Sequence, residues 1–425
     1  MALARILERL AGLAPLPPER VSLGSAVGRA LAEAVRAPRS LPPFDNSQMD
    51  GYALRAADAR RAGVRLRVAF EVFAGDAPGQ ALPPGACARI FTGAPLPAGA
   101  DCVEMQEEVS RRGRVATFRR PAEAGRFVRP AGADVREGSV ALPAGTVLDP
   151  GAVGLAAALG RTEIQVHRRP RVGLLATGDE IVPVDHAAAP GQILDSNSHA
   201  LAAACTEAGA LPLLLPLARD DRASLRRSLA AARGLDAVVS TGGVSVGARD
   251  LVLGALEEAG ARLDFWRVSM RPGKPIAFGL WGRTAVFGLP GNPASALVTF
   301  EVFVRPALRA LARLPGSGRL SIPARLAWPV EKPTELTLFL RCRLRMDRGE
   351  AWLDPLATQQ SGHLTSVVGV EALAVLPAGA RRIRRGGRVT AMVLRPPAAE
   401  GPLRLRAVPE TAAPVRPTPR HPRRR

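Results

Sequence analysis

The chain has 425 residues, 47% of them apolar and 23% charged, a composition that excludes wholesale disorder and allows about two to four domains with cores of their own. Basic residues outnumber acidic ones 58 to 38, a net charge of +20, and no uncharged stretch is long and apolar enough to cross a bilayer. The four cysteines (Cys87, Cys102, Cys205, Cys342) have no paired spacing, which excludes a zinc or disulfide framework and predicts a soluble, cytoplasmic protein.

Residues 1–14 carry Arg5, Glu8 and Arg9 where a signal peptide needs an unbroken apolar core, so they read as an amphipathic helix. Helical texture is expected over most of 1–48, up to the turn Leu41-Pro42-Pro43-Phe44. Residues 49–132 are short β-like runs (70–73, 88–91, 102–105, 115–118) punctuated by Gly and Pro, which predicts a compact β-rich module. A β-like stretch at 140–148 and a helix-like one at 151–159 follow.

From Arg171 the pattern alternates. Apolar runs at 171–176, 211–217, 236–240 and 284–287 predict strands, and the stretches 198–208, 222–233, 250–259 and 294–311 predict helices. That order predicts a central three-layer α/β domain, doubly wound around a mostly parallel sheet. Residues 319–397 return to β texture and predict a small barrel or sandwich. Beyond Pro396 the Ala/Pro/Arg composition reads as a disordered basic tail. The tail, 401–425, holds seven Arg and one Glu, charge that reads as a solvated surface rather than a nucleic-acid platform. Phe265 and Trp266 are the only aromatic pair beside basic residues, poor material for base stacking.

Rare residue types mark where local chemistry matters. Only Lys274 and Lys332 are lysine, only Tyr52 is tyrosine, and Asn46, Asn197 and Asn292 are the only asparagines.

Three predicted strands run straight into polar glycine loops: Thr177-Gly178-Asp179-Glu180; Ser240-Thr241-Gly242-Gly243-Val244-Ser245-Val246-Gly247-Ala248-Arg249-Asp250; and Pro290-Gly291-Asn292-Pro293-Ala294-Ser295. Ligands of open parallel sheets sit beyond the carboxyl ends of the strands, so these loops should converge on one crevice. Glycine lets backbone N–H groups approach an anion, so a phosphorylated ligand fits. Neither the Gly-Lys-Ser/Thr phosphate loop nor the G-x-G-x-x-G dinucleotide pattern occurs in these loops. The nearby acids Asp179, Glu180, Asp220, Asp221 and Asp250 would need a cation beside phosphate, and hard oxygen donors favour Mg²⁺. Asp221 and Asp250 also stand where helix N-caps belong.

In Ser269-Met270-Arg271-Pro272-Gly273-Lys274, two cations flank a stiff Pro-Gly turn, which suits a small oxyanion. The segment 44–53 gathers Asp45, Asn46, Ser47 and Asp50 beside the lone tyrosine. The five histidines show no metal-ligand spacing, and no G-x-S-x-G nucleophile elbow occurs.

Taken in order, the segments 44–53, 89–94, 177–180, 240–250, 271–275 and 288–295 resemble the molybdopterin molybdenumtransferase family, which includes the C-terminal domain of gephyrin. The resemblance runs to about Pro396. It implies an elongated helical/β domain from 1–48 with 133–168, a β-rich inserted module at 49–132, the molybdopterin-binding α/β domain at 169–318, a C-terminal β-barrel at 319–397, and the tail 398–425. It implies insertion of molybdate into the dithiolene of adenylylated molybdopterin with release of AMP, dependent on Mg²⁺. It also implies a homodimer whose cleft lies between the α/β domain of one protomer and the β module of the other, with contacts to other cofactor-biosynthesis proteins or molybdoenzymes.

By motif position the resemblance assigns catalytic roles to Asp50, Thr92, Glu180, Asp220, Asp250 and Lys274. Glu180, Asp220 and Asp250 would hold Mg²⁺ or orient the ligand. Thr177, Gly178, Asp179, Ser240, Thr241, Gly242, Gly243, Ser245, Gly247, Pro290, Gly291, Asn292 and Pro293 would line the pterin site. Arg271, Lys274, Ser295, Arg341 and Ser361 would hold molybdate. Arg267 and Arg271 stand where the family usually has lysine. The alternative within the resemblance is a non-catalytic, molybdopterin-binding scaffold of the gephyrin type.

Overall fold

The computed structural model describes residues 1–243, 251–316 and 318–397, so Ser245, Gly247, Asp250 and the tail 398–425 lie outside the described residues. The described residues form two compact units: Met1–Val268 with Gly273–Gly318, and Ser269–Pro272 with the chain from Arg319 to Pro397.

At the centre of the first unit is a six-stranded sheet. Its strands are β1 (Arg171–Ala176), β2 (Leu211–Leu214), β3 (Ala237–Thr241), β4 (Arg262–Trp266), β5 (Ala277–Trp281) and β6 (Thr284–Leu289), in the spatial order β2-β1-β3-β6-β5-β4. The first four are parallel, with Gly173 opposite Val238 and Val238 opposite Val286. β5 and β4 continue the sheet antiparallel, a pair that the apolar pattern does not separate from their surroundings. Every residue of β3 and β6 is buried, as both faces of a covered parallel sheet require, and this is why these strands read as unbroken apolar runs. β2 is the sheet edge and stops at Leu214, short of the expected Leu217, because Pro216 follows.

Helices α1 (Ser196–Glu207), α2 (Arg222–Ala231) and α3 (Leu251–Glu258) connect the strands. Asp195 and Asp221 cap α1 and α2, their carboxylates accepting the N–H groups of Ser198 and Ser224 at 3.0 and 2.8 Å. The stretch expected as one helix at 294–311 is three pieces: α4 (Pro293–Thr299), a π-helical turn (Phe300–Val304) and α5 (Arg305–Leu311). Pro306 has no N–H for the carbonyl four residues back, and the widened turn takes up the missing bond.

The first 48 residues are not mostly helix. Helix is confined to Ala2–Ala11 and Leu23–Ala26, since Gly12, Pro15, Pro17 and Pro18 break the pattern. Ala2–Ala11 buries Ile6 and Leu10, while Arg5 and Arg9 pair with Asp264 at 3.3 and 3.0 Å. The strands Pro18–Ser22 and Val35–Arg36 pair with Glu163–His167 and Val140–Leu142, so chain from both sides of the inserted module shares one core around Leu31, Leu148 and Val166.

The inserted module is a six-stranded mixed sheet in the order Cys102–Met105, Gly51–Leu54, Ala86–Ile90, Arg65–Val72, Val115–Phe118, Val109–Arg112. It carries a core on each face, one around Tyr52 and Phe118 and one around Ile90 and Val103.

In the second unit, Thr337–Asp347, Glu350–Pro355, Ser321–Leu326, Arg388–Val393 and Ala372–Leu376 pair in that order, and the last returns to the first, closing a five-stranded barrel. Leu340, Cys342 and Leu344 fill it with Leu326, Leu353 and Leu376. Met270–Arg271, from the stretch expected to be wholly α/β, adds a parallel strand beside Thr337–Asp347. All four cysteines are free and buried, and burial pushes Cys87, Cys205 and Cys342 up to about 12. Among the described residues, no helix is long and apolar enough to cross a membrane.

Candidate active site

The bends after β1, β3 and β6 touch one another. Thr177 donates its N–H to the Thr241 carbonyl at 3.3 Å, and Gly242 donates to the Leu289 carbonyl at 3.2 Å, so each bend is tied to its neighbour. Gly242 has φ +84°, and a Cβ there would lie 2.9 Å from the Thr177 carbonyl oxygen. Gly243 has φ +63°, and its Cβ would lie 2.5 Å from Val252 Cγ2. Only glycine fits both positions. Gly291 completes the contact: a Cβ on it would lie 3.6 Å from Gly242 Cα. From the first turn of α1, Asn197 Nδ2 donates to the Gly291 carbonyl at 2.7 Å. Asn197 is absent from the expected site, although its rarity in the chain is an available signal.

A fourth bend joins this end of the sheet. Gly178 donates to the Ala218 carbonyl at 3.2 Å, and the Asp179 carboxylate accepts the Asp220 N–H at 3.1 Å. Asp179, Glu180 and Asp220 are exposed there, whereas Asp221 is occupied in capping α2. Among the described residues no three His, Cys, Asp or Glu side chains are grouped closely enough to hold a metal ion, and Asp250 is not among those residues.

Two expected ligand contacts look inward. Ser240 is fully buried, its hydroxyl donating to the Phe287 carbonyl at 3.5 Å, because its strand is central in the sheet. Ser295 is buried in the first turns of α4, and its carbonyl accepts the Thr299 hydroxyl at 2.8 Å. Pro290 is buried, and Pro293 opens α4 directly after the cap residue Asn292. Lys274 is exposed, and its ammonium has no hydrogen bond or ion pair among the described residues. The other lysine, Lys332, is structural: it is buried and donates to the carbonyls of Pro333 and Leu336 at 3.1 and 2.6 Å.

On the inserted module, Asp50 and Thr92 form a pair. One Asp50 carboxylate oxygen accepts both the N–H and the hydroxyl of Thr92, each at 2.8 Å. These bonds hold the Asp50 carboxyl below its usual range, with a smaller contribution from the Arg89 charge. Neither residue shares a hydrogen bond or ion pair with the strand-end bends among the described residues. Tyr52, next in the chain but one, is a core residue, edge-on to Phe118 with the Arg89 guanidinium 5.0 Å from its ring centre.

In the second unit, Arg341 points away from the barrel interior yet is only 1% exposed. Gln359 clasps its backbone, accepting the Arg341 N–H at 3.1 Å and donating to its carbonyl at 2.9 Å. Nη2 reaches the Gln360 carbonyl at 3.3 Å, while Nε and Nη1 are buried without a partner. Burial pushes the guanidinium pKa down. Arg271 is exposed and lies opposite Leu338, three residues before Arg341 on the neighbouring strand. Ser361 follows the Gln359-Gln360 pair and is half-buried.

Joined glycine bends at the carboxyl ends of parallel strands, with carboxylates at their rim, define an α/β protein of the molybdopterin-binding class, and residues 173–310 match the family model described as a probable molybdopterin binding domain. Residues 1–160 match the MoeA N-terminal region (domain I and II), and residues 323–394 match the MoeA C-terminal region (domain IV). The chain is 37% identical to a molybdopterin molybdenumtransferase of Nostoc over 88% of each chain, and 34% identical to one of Bacillus subtilis over 89% of this chain and 90% of that one. A solved molybdopterin biosynthesis moeA protein from Pyrococcus horikoshii has a TM-score of 0.78 at 29% identity, covering 92% of this chain and 98% of that chain. The chain belongs to the molybdopterin molybdenumtransferase family.

Proposed function

We propose that this protein is the transferase that inserts molybdenum into molybdopterin during molybdenum cofactor biosynthesis, with adenylylated molybdopterin and molybdate as substrates and AMP as the released product. The observation that carries the reading is the mutual contact of the Thr177, Gly242 and Gly291 bends at one end of the sheet. They offer N–H groups and close backbone approach to the phosphates of such a ligand.

The exposed carboxylates Glu180 and Asp220, with Asp250, are hard oxygen donors that suit Mg²⁺, and these three would hold it. When bound, Mg²⁺ would offset the negative charge of the pyrophosphate group. Lys274 supplies an uncommitted ammonium for an anion, and Arg271 keeps that charge at its own position. Arg341 has two buried donors still to be satisfied, as a tetrahedral dianion would satisfy them. The two dithiolene thiols of the ligand would form the Mo–S bonds while one oxo group of molybdate leaves as water with their two protons, so the chain contributes placement and electrostatics rather than a nucleophile. Asp50 stays ionised and fixed by Thr92.

The resemblance implies a homodimer in which Asp50 and Thr92 of one copy serve the crevice of the other. The test is incubation with adenylylated molybdopterin, Mg²⁺ and molybdate, following AMP. Molybdate-dependent AMP release is expected, and its absence would leave the scaffold reading in force. Asp50→Asn and Glu180→Gln should each be nearly inactive, and mixing them after reversible dissociation should restore part of the activity. No recovery in the mixed dimers would place Asp50 in its own protomer's crevice.

A further inference from the structure

A single Asp50 carboxylate oxygen takes both Thr92 bonds, and the other oxygen has no hydrogen bond among the described residues. The free oxygen keeps one direction only if the chain segments that meet there cannot drift. Three segments meet. Asp50 precedes the strand Gly51–Leu54, Thr92 follows Ala86–Ile90 by two residues, and Gln106, just after Cys102–Met105, donates its N–H to the Asp50 carbonyl at 3.0 Å. The strand pairing stops one residue short of Asp50, at Gly51 opposite Ile90 and Met105. Regular sheet therefore does not reach the pair.

One side chain touches all three segments. Arg89 lies opposite Tyr52 in the sheet, and its Nη1 donates to the Gly51 carbonyl at 3.3 Å. Nη2 donates to Gln106 Oε1, and the guanidinium carbon is 5.0 Å from the ring centres of both Tyr52 and Phe91. Gly51 is the chain neighbour of Asp50, Phe91 is the neighbour of Thr92, and Gln106 holds the Asp50 carbonyl.

That direction is a choice between partners. Glu71 faces Arg89 from the strand Arg65–Val72, where a cross-strand ion pair would ordinarily form. The Glu71 carboxylate engages Arg111 at 3.0 Å instead, and Arg89 has no ion pair among the described residues. A planar guanidinium can lie over aromatic rings and donate from its edge to two acceptors at once, which a lysine ammonium cannot do. We propose that Arg89 is a positioning residue for the Asp50–Thr92 pair, locking the three segments so that the free Asp50 oxygen keeps its direction, a role that rests on the reading of this pair as part of the transferase site. Arg89 acts through the backbone, since it makes no bond to the Asp50 carboxylate itself.

Hydrogen exchange of the full chain reads the pair without any substrate, because the Thr92 amide is one of the two donors to Asp50. In Arg89→Gln that amide is expected to exchange about tenfold faster than in the wild type. The Val68 amide, bonded to the Arg114 carbonyl at 2.8 Å in the same module, should keep its rate. Arg89→Lys should release Thr92 likewise, because the charge alone does not join the segments. Equal Thr92 rates in wild type and Arg89→Gln would overturn the proposal. So would equal acceleration at Val68, which would make Arg89 a support of the whole sheet. If Arg89→Gln does not fold, Gln106→Met removes one anchor of the fork from an exposed position and should show the same split, by roughly threefold. In the AMP-release assay Arg89→Gln should lower kcat roughly tenfold at an unchanged molybdate KM. Full turnover in a variant whose Thr92 amide has lost its protection would overturn the positioning role. Absence of AMP from the wild type would defeat the functional reading instead, and the exchange rates would still decide what Arg89 holds.

Discussion

Replacing Gly242 by alanine tests the contact on which the crevice depends. At φ +84° an alanine loses about 1–2 kcal/mol to its own backbone. Its methyl group would also sit 2.9 Å from a carbonyl oxygen of the adjoining bend, Thr177, and crowding of that kind costs about 1–3 kcal/mol. The total is about 3 kcal/mol, which at about 2–4 °C per kcal/mol lowers the unfolding midpoint by roughly 6–12 °C. Because the methyl can be accommodated only by separating the two bends, turnover should fall by roughly 10–100-fold even where the protein is folded. Calorimetric unfolding and molybdate-dependent AMP release measure the two effects. Gly254→Ala is the control: it lies within α3 with nothing within 4 Å of its Cβ position, and should raise stability by about 0.5–1 kcal/mol. A Gly242→Ala protein with the wild-type midpoint and turnover would refute the packed-bend account.

Thr92→Val removes the hydroxyl bond to Asp50 while keeping the N–H bond, so the Asp50 carboxyl should titrate closer to 3.8. A depressed carboxyl stabilises the fold above its unfolded pKa, and that contribution is lost as pH falls through the depressed value. The stability difference between wild type and variant should therefore have a part present at pH 7 and lost as pH falls through the depressed value, read as urea midpoints; a pH-independent difference would contradict the ionic role. Arg341→Met should leave stability unchanged or raise it by about 1–3 kcal/mol, because a buried guanidinium with two idle donors is removed. The same change should raise the molybdate concentration needed at least tenfold. Loss of stability with an unchanged molybdate dependence would show that Arg341 serves the barrel rather than the oxyanion.

What the sequence alone determined is local in origin. β1, β3 and β6 were legible because strands covered on both faces must be apolar throughout, and their glycine ends because left-handed bends and close backbone approach admit little else. The cap at Asp221 rests on the same short-range rules, whereas the family was reached through the resemblance of six ordered segments. The resemblance put Asp50 and Thr92 on the same module, but their hydrogen bonds, across 42 residues of chain, came only from the tertiary structure.

The tertiary structure decided the rest. Closure of the barrel, the passage of Met270–Arg271 into its sheet, and the pairing of strands on both sides of the inserted module join residues distant in the chain. Such pairings are selected by complementary surfaces that offset the entropy of closing long loops, and no period or turn signal encodes them. Ser240 reads the same on paper whether it faces a ligand or a neighbouring strand, and the position of its strand in mid-sheet settled which.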